Sequence, residues 1–196
     1  MNKKFIIPAI VIAVLSIVFF SIPNSLELFS FSGIKLLKGE IWRLLTFQFT
    51  HTNTSHLLEN LLALGVTALL AKEINFPSKY FTILFLVTGM IIALLESIIF
   101  PLLILAGASL GIYGVLGGIS ARGTQLVPQK VLILLLGLSV FAKYFINMFF
   151  CPTCITSKLF IQTICHISGV IAGILIFYPI TNKKTKILTG NKDEKN

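Results

Sequence analysis

The sequence has little charge and almost no acid. Only 12% of its 196 residues are charged and 56% are hydrophobic, whereas soluble domains carry roughly 25% charged residues. This balance argues against a water-soluble globular chain and for a lipid-facing surface, on which apolar residues outnumber what a core alone would hide. Seven carboxylates occur, and the single aspartate, Asp193, lies in the C-terminal tail, so a Ser-His-Asp triad is excluded. Cysteine is scarce as well. Cys151, Cys154 and Cys165 are too few for a disulfide framework or an all-cysteine metal site, and neither a metal nor another cofactor is expected. Cys151-Pro152-Thr153-Cys154 has redox-motif spacing without the strand and helix pattern of a thioredoxin unit, which leaves a loop disulfide or two free thiols. The formal charge of +9 comes from sixteen Lys and Arg scattered between apolar runs; without a basic stripe, nucleic acid is not an expected partner. No clear small-x-small cleavage site follows the first apolar run, Phe5 to Pro23, which reads as a retained transmembrane helix and not as a signal peptide.

What the sequence does have is apolar runs of membrane length. A helix rises about 1.5 Å per residue, so roughly 20 apolar residues cross a hydrocarbon core of ~30 Å. Six runs serve, at approximately 5–23, 55–71, 80–100, 107–121, 131–150 and 159–180. The predicted fold class is an all-α polytopic membrane protein: one six-helix transmembrane domain over residues 1–182 and a basic tail at 183–196. Eleven of the sixteen Lys and Arg fall on the side of the two termini, and the other five are Lys35, Lys38, Arg43, Lys143 and Lys158. The majority side is the cytoplasm by the positive-inside rule, giving a multi-pass protein of a bacterial-type cell membrane with both termini inside. Lys143 within the fifth run is expected to snorkel outward or to mark an earlier helix end. The tail reads as a solvated anchor near anionic lipid. Residues 24–54 form a long outer loop, whose run Ile41, Trp42, Leu44, Leu45, Phe47 and Phe49 suits either a passive interfacial segment or a lid.

Polar residues inside a membrane are costly and need a partner or a task. Ser109 lies thirteen residues before Arg122, about 20 Å above the cytoplasmic end of its helix. His166 lies eight residues past the outer Lys158, about 12 Å deep. His56 and Asn60 precede Lys72 by sixteen and twelve residues, about 6 and 12 Å below the outer face, and their spacing of four puts them on one helical face. Four polar groups thus meet in the outer half of the bilayer. They suit acyl transfer: neutral His166 takes the Ser109 proton, and the Ser109 backbone N–H with His56 and Asn60 donates to the oxyanion. Gly107, Gly111, Gly114 and Gly118 line one stripe of the fourth run, with Gly169 and Gly173 below His166, so that backbones can approach closely. Tyr113 shares a face with Ser109. Glu59 is expected to be protonated, to face a water-filled cavity or to pair with a polar neighbour, and Glu96 to reach water at the outer end of the third span.

With these residues assembled, the chain resembles the rhomboid intramembrane serine proteases over nearly its whole length. Gly107 to Gly114, GASLGIYG, is similar to the family's G-x-S-G-x-x-Y/F-G stretch, which implies Ser109 as nucleophile and Tyr113 as a ring packed on the histidine. Cys165 to Gly173, CHISGVIAG, resembles A-H-x-x-G-x-x-x-G and implies His166 as the base. His51, His56 and Asn60 in HTNTSHLLEN resemble the family's second-helix motif, implying His56 and Asn60 as oxyanion donors with His51 beside them. Trp42-Arg43 matches the W-R of the long first loop. The pattern departs at Leu110, where the family carries glycine; a narrowed oxyanion hole or an altered turn into the helix is expected there. The G-x-S-x-G elbow of α/β-hydrolases, which 107–111 also satisfies, needs a strand-turn-helix context absent from this sequence. The resemblance implies an endopeptidase acting on transmembrane protein substrates, or a non-proteolytic member of the fold that binds membrane clients. A small-solute transporter is disfavoured because the spans show no inverted repeat.

Overall fold

A computed structural model describes residues 6–122, 128–150 and 156–193. Among them, helices follow one another as α1 (Ile7–Ser21), α2 (Ser25–Phe29), α3 (Gly33–Leu37), α4 (Arg43–Thr46), a 3-10 turn (Phe47–Phe49), α5 (Thr54–Glu73), α6 (Ser78–Ile99), α7 (Ser109–Arg122), α8 (Gln129–Phe150) and α9 (Ser157–Asp193). Of these, α5, α6 and the Leu159–Tyr178 part of α9 are long and apolar enough to cross a membrane, and Ile7–Ser21 and Gln129–Ala142 are shorter apolar helices. The described residues are thus all-helical, with three helices of membrane-crossing length and apolarity. Helix α9 runs on past the sixth apolar run to Asp193. Cys151 and Cys154, and the side chain of Lys143, lie outside what is described.

Helix boundaries follow local chemistry. Pro8 sits in the first turn of α1, where its missing N–H leaves no gap. Asn53 caps α5, its Oδ1 accepting from the His56 backbone N–H at 2.8 Å. Between α5 and α6, Asn75 takes a left-handed conformation with φ of 52°, and its carbonyl accepts from Arg122 Nη1 at 2.7 Å. That turn drives the fully buried Phe76 against Phe177 of α9, ring centroids 4.9 Å apart.

Helix α7 is the axis of the packing, with both flanks covered. A methyl group on Gly111 would strike Phe85, and one on Gly114 or Gly118 would strike Thr88 or Leu84, all on α6. On the other flank, Gly117 lies against the carbonyl of Val170, and Gly173 of α9 against that of Gly114. Small residues thus let three backbones meet, as interfaces between membrane helices require. Around this axis the core gathers Ile12, Leu64, Phe81, Phe85, Ile112 and Phe177. The outward faces of α1 and α5 expose Ile10, Val14, Leu62 and Val66, the surface that lipid demands.

The loop before α5 is held together by its own polar contacts. Arg43, 6% exposed, donates to the carbonyls of Glu27 at 2.8 Å and Ser30 at 2.9 Å, and its guanidinium pairs with Glu40. One fork therefore closes the loop on itself. The apolar run divides: Phe47 and Phe49 are buried while Ile41, Trp42 and Leu45 stay exposed. Phe31 and Leu105 exchange backbone bonds of 2.9 and 2.8 Å, stitching the loop to the segment that enters α7. Because the loop folds over the C-terminal end of α6, Gly33 abuts Ser97 and Pro101. This corrects the expectation for Glu96. Its side chain does not reach water but is 5% exposed, with Oε2 buried and without a hydrogen-bond partner.

Candidate active site

The site starts from Gly107. Its N–H donates to the carbonyl of Phe47 at 2.9 Å, so the 3-10 turn fixes where the chain enters α7. Its φ of +117° is a conformation only glycine adopts readily. A side chain is barred there for a second reason, since a Cβ would lie 2.7 Å from His56 Cε1, 2.8 Å from His56 Nε2 and 3.7 Å from Asn60 Nδ2. The imidazole edge and the amide of α5 are thus pressed against the backbone two residues before Ser109.

Ser109 is the first residue of α7. The first N–H groups of a helix lack intrahelical partners and carry the positive end of its dipole, so the backbone at Ser109 suits a developing negative charge. Ser109, His56 and His166 all line two adjoining cavities, of about 360 and 130 Å³; Gly107 borders the larger, Asn60 and Tyr113 the smaller. Tyr113 stacks on His166 with centroids 4.3 Å apart and planes at 28°, which orients the imidazole. Gly169, three residues past His166, packs against the Leu110 carbonyl and Tyr113, where a Cβ would stand 3.1 and 3.3 Å away.

His56 and Asn60 are themselves held. His56 Nδ1 meets Thr52 Oγ1 at 3.1 Å, and Asn60 Nδ2 donates to the His56 carbonyl at 2.8 Å. His51 lines neither cavity. It is buried behind His56 with the rings edge to face at 5.2 Å, and its Nδ1–H donates to the Phe49 carbonyl at 3.2 Å. Burial, then the neighbouring His56, pushes its pKa down to about 4, so it is neutral near pH 7. Glu59 borders both cavities and accepts from Ser55 Oγ at 3.5 Å.

Leu110 is the second residue of α7; its side chain, 4% exposed, packs with Phe31, Phe47, Ile92, Ala93 and Cys165 and forms part of the apolar wall of the larger cavity. Sequence reasoning missed Thr52 and also Gln162, which lines both cavities. Gln162 had a signal: it is an intramembrane polar residue one turn from His166 on the same helical face. No three His, Cys, Asp or Glu side chains among the described residues are grouped to hold a metal ion.

Against known families, a sequence model of the Rhomboid domain matches residues 38–183. A comparison with curated proteins gives no match. The matched stretch takes in the loop before α5 from Lys38, the glycine-lined α7 and the helix that carries His166, and on that extent this chain belongs to the rhomboid family.

Proposed function

We propose that the chain is a six-span intramembrane serine endopeptidase that hydrolyses peptide bonds in or near transmembrane segments of other proteins, with both termini cytoplasmic and the cavity open to the outer side. The observation that carries this reading is that Ser109, a Tyr113-stacked His166 and His56, whose ring lies against Gly107, all line the same two cavities. In the first half-reaction Ser109 Oγ bonds to the scissile carbonyl carbon as its proton passes to neutral His166. The C–N bond then breaks while the imidazolium returns that proton to the leaving amine. In the second, water gives a proton to His166 and its oxygen displaces Ser109, which regains its hydroxyl proton. At each tetrahedral stage the oxyanion takes hydrogen bonds from the Ser109 N–H, His56 and Asn60. Since a helix hides its carbonyls, a suitable substrate has small or helix-breaking residues where it is cut.

One feature favours a second reading, a non-cutting member that binds membrane clients: Leu110 stands where the family pattern has glycine. Cleavage of a tagged transmembrane substrate by purified wild type, Ser109→Ala and His166→Ala in liposomes separates the two. The protease reading expects cutting by wild type alone. Equal cutting by all three would refute the dyad, and client binding without cutting or serine labelling would favour the second reading.

A further inference from the structure

We propose that Thr52 and Asn53 set the tautomer of His56, holding its proton on Nε2 so that the edge against Gly107 is a hydrogen-bond donor. The inference rests on the protease reading for its catalytic meaning, and on a chain of hydrogen bonds for its direction.

That chain begins with a group whose role is not open to choice. The His56 backbone N–H can only donate, and it does so to Asn53 Oδ1 at 2.8 Å. The carboxamide of Asn53 is therefore oriented, and its other end, Nδ2, is the donor facing Thr52 Oγ1 at 3.4 Å. The hydroxyl oxygen of Thr52 thus accepts from Asn53 and has its own proton to give. It meets His56 Nδ1 at 3.1 Å. A neutral imidazole that accepts at Nδ1 carries its proton at Nε2. Nε2 and Cε1 are the ring atoms nearest Gly107, on the side from which an oxyanion at Ser109 would be approached.

The opposite tautomer would turn a lone pair toward that oxyanion and repel it. His51, packed edge-on at 5.2 Å, does not supply the missing polarity, because its own Nδ1–H is committed to the Phe49 carbonyl. Thr52 and Asn53 precede and cap α5 at the edge of the larger cavity, and the hydrogen bonds they make go to His56 and to each other. They are positioning residues, and the sequence offers them as two ordinary loop residues in HTNTSH.

The test is the 15N spectrum of histidine-labelled full-length protein in detergent at pH 7.5, with His56 assigned by difference against His56→Asn. It is recorded in the wild type and in Ser109→Ala, so that it reads the tautomer whether or not the chain cuts peptides. The expected spectrum has His56 protonated at Nε2 and bare at Nδ1. Thr52→Val should mix the tautomers and lower kcat roughly 10-fold at nearly constant KM, a part of the 10²–10³-fold lost with a whole oxyanion donor. Thr52→Ser, which keeps the hydroxyl, should restore both. A wild-type His56 protonated at Nδ1, or a Thr52→Val protein with an unchanged tautomer, overturns the proposal. Loss of cutting in Thr52→Ser equal to that in Thr52→Val does so too.

Discussion

Gly173→Ala adds a single methyl group and should disable the protein. The new Cβ would lie 2.8 Å from the carbonyl carbon of Gly114 and 3.0 Å from its Cα, and nearer still to its oxygen, where ordinary contacts begin at 3.4 Å. The obstacle is backbone, which has no rotamer to change, so α9 must withdraw from α7 by roughly 1 Å. Overpacking of this kind costs about 1–3 kcal/mol. The larger effect is on geometry: His166 sits two turns from Gly173 on α9, while Ser109 and Tyr113 sit on α7. Moving one helix from the other pulls the base from its stack and from the nucleophile, and a misplacement near 1 Å lowers rate on the order of 10²-fold. Gly65→Ala is the control, because a Cβ there meets nothing within 4 Å, and removing a mid-helix glycine stabilises by roughly 0.5–1 kcal/mol. Rates on a tagged transmembrane substrate and thermal unfolding in detergent measure both effects. Wild-type rate and stability in Gly173→Ala would refute the close α7–α9 approach as the device that assembles the site.

Three further outcomes are expected. Tyr113→Phe should keep activity because the stack on His166 survives, whereas Tyr113→Ala should lose about 10–100-fold in kcat as the imidazole loses its orientation; substrate kinetics decide. His51 should make the fold acid-sensitive. Its folded pKa of about 4 lies below the ordinary 6.5, so between those values the unfolded chain binds a proton that the folded chain refuses. Stability falls as pH drops through that window, by on the order of 2 kcal/mol, and is level below it. Unfolding at pH 7 and pH 4.5 should differ by that much more in wild type than in His51→Gln. Arg43→Lys keeps the charge but not the fork to Glu27, Ser30 and Glu40; it should destabilise by about 2–3 kcal/mol and speed proteolysis of the loop at 24–50.

Periodic and local features were legible in the sequence. The apolar runs locate the long helices, and residue counts from the charged ends bring Ser109, His166, His56 and Asn60 to a similar depth. The glycine spacing on α7 announces a close approach, although Gly117, which meets α9, stands off the predicted stripe. What one sequence does not reveal is how the loop before α5 folds back. Nothing local to Phe31 says that it pairs with Leu105, and Glu96 near a helix end reads as solvent-facing although it is 5% exposed in the fold. Thr52 and Asn53 are common loop residues, and their role appears only when the hydrogen-bond directions are followed in space. Gly107 reads as a packing residue in sequence, while its φ and its contact with His56 make it the hinge of the site.

The central claim is that His166 makes Ser109 a nucleophile. The most direct measurement is covalent labelling of the purified protein with a serine-reactive phosphonate, mapped by mass spectrometry. Modification is expected at Ser109, abolished in His166→Ala while Gly65→Ala labels like wild type. Labelling at another serine, or undiminished labelling of Ser109 in His166→Ala, would contradict it.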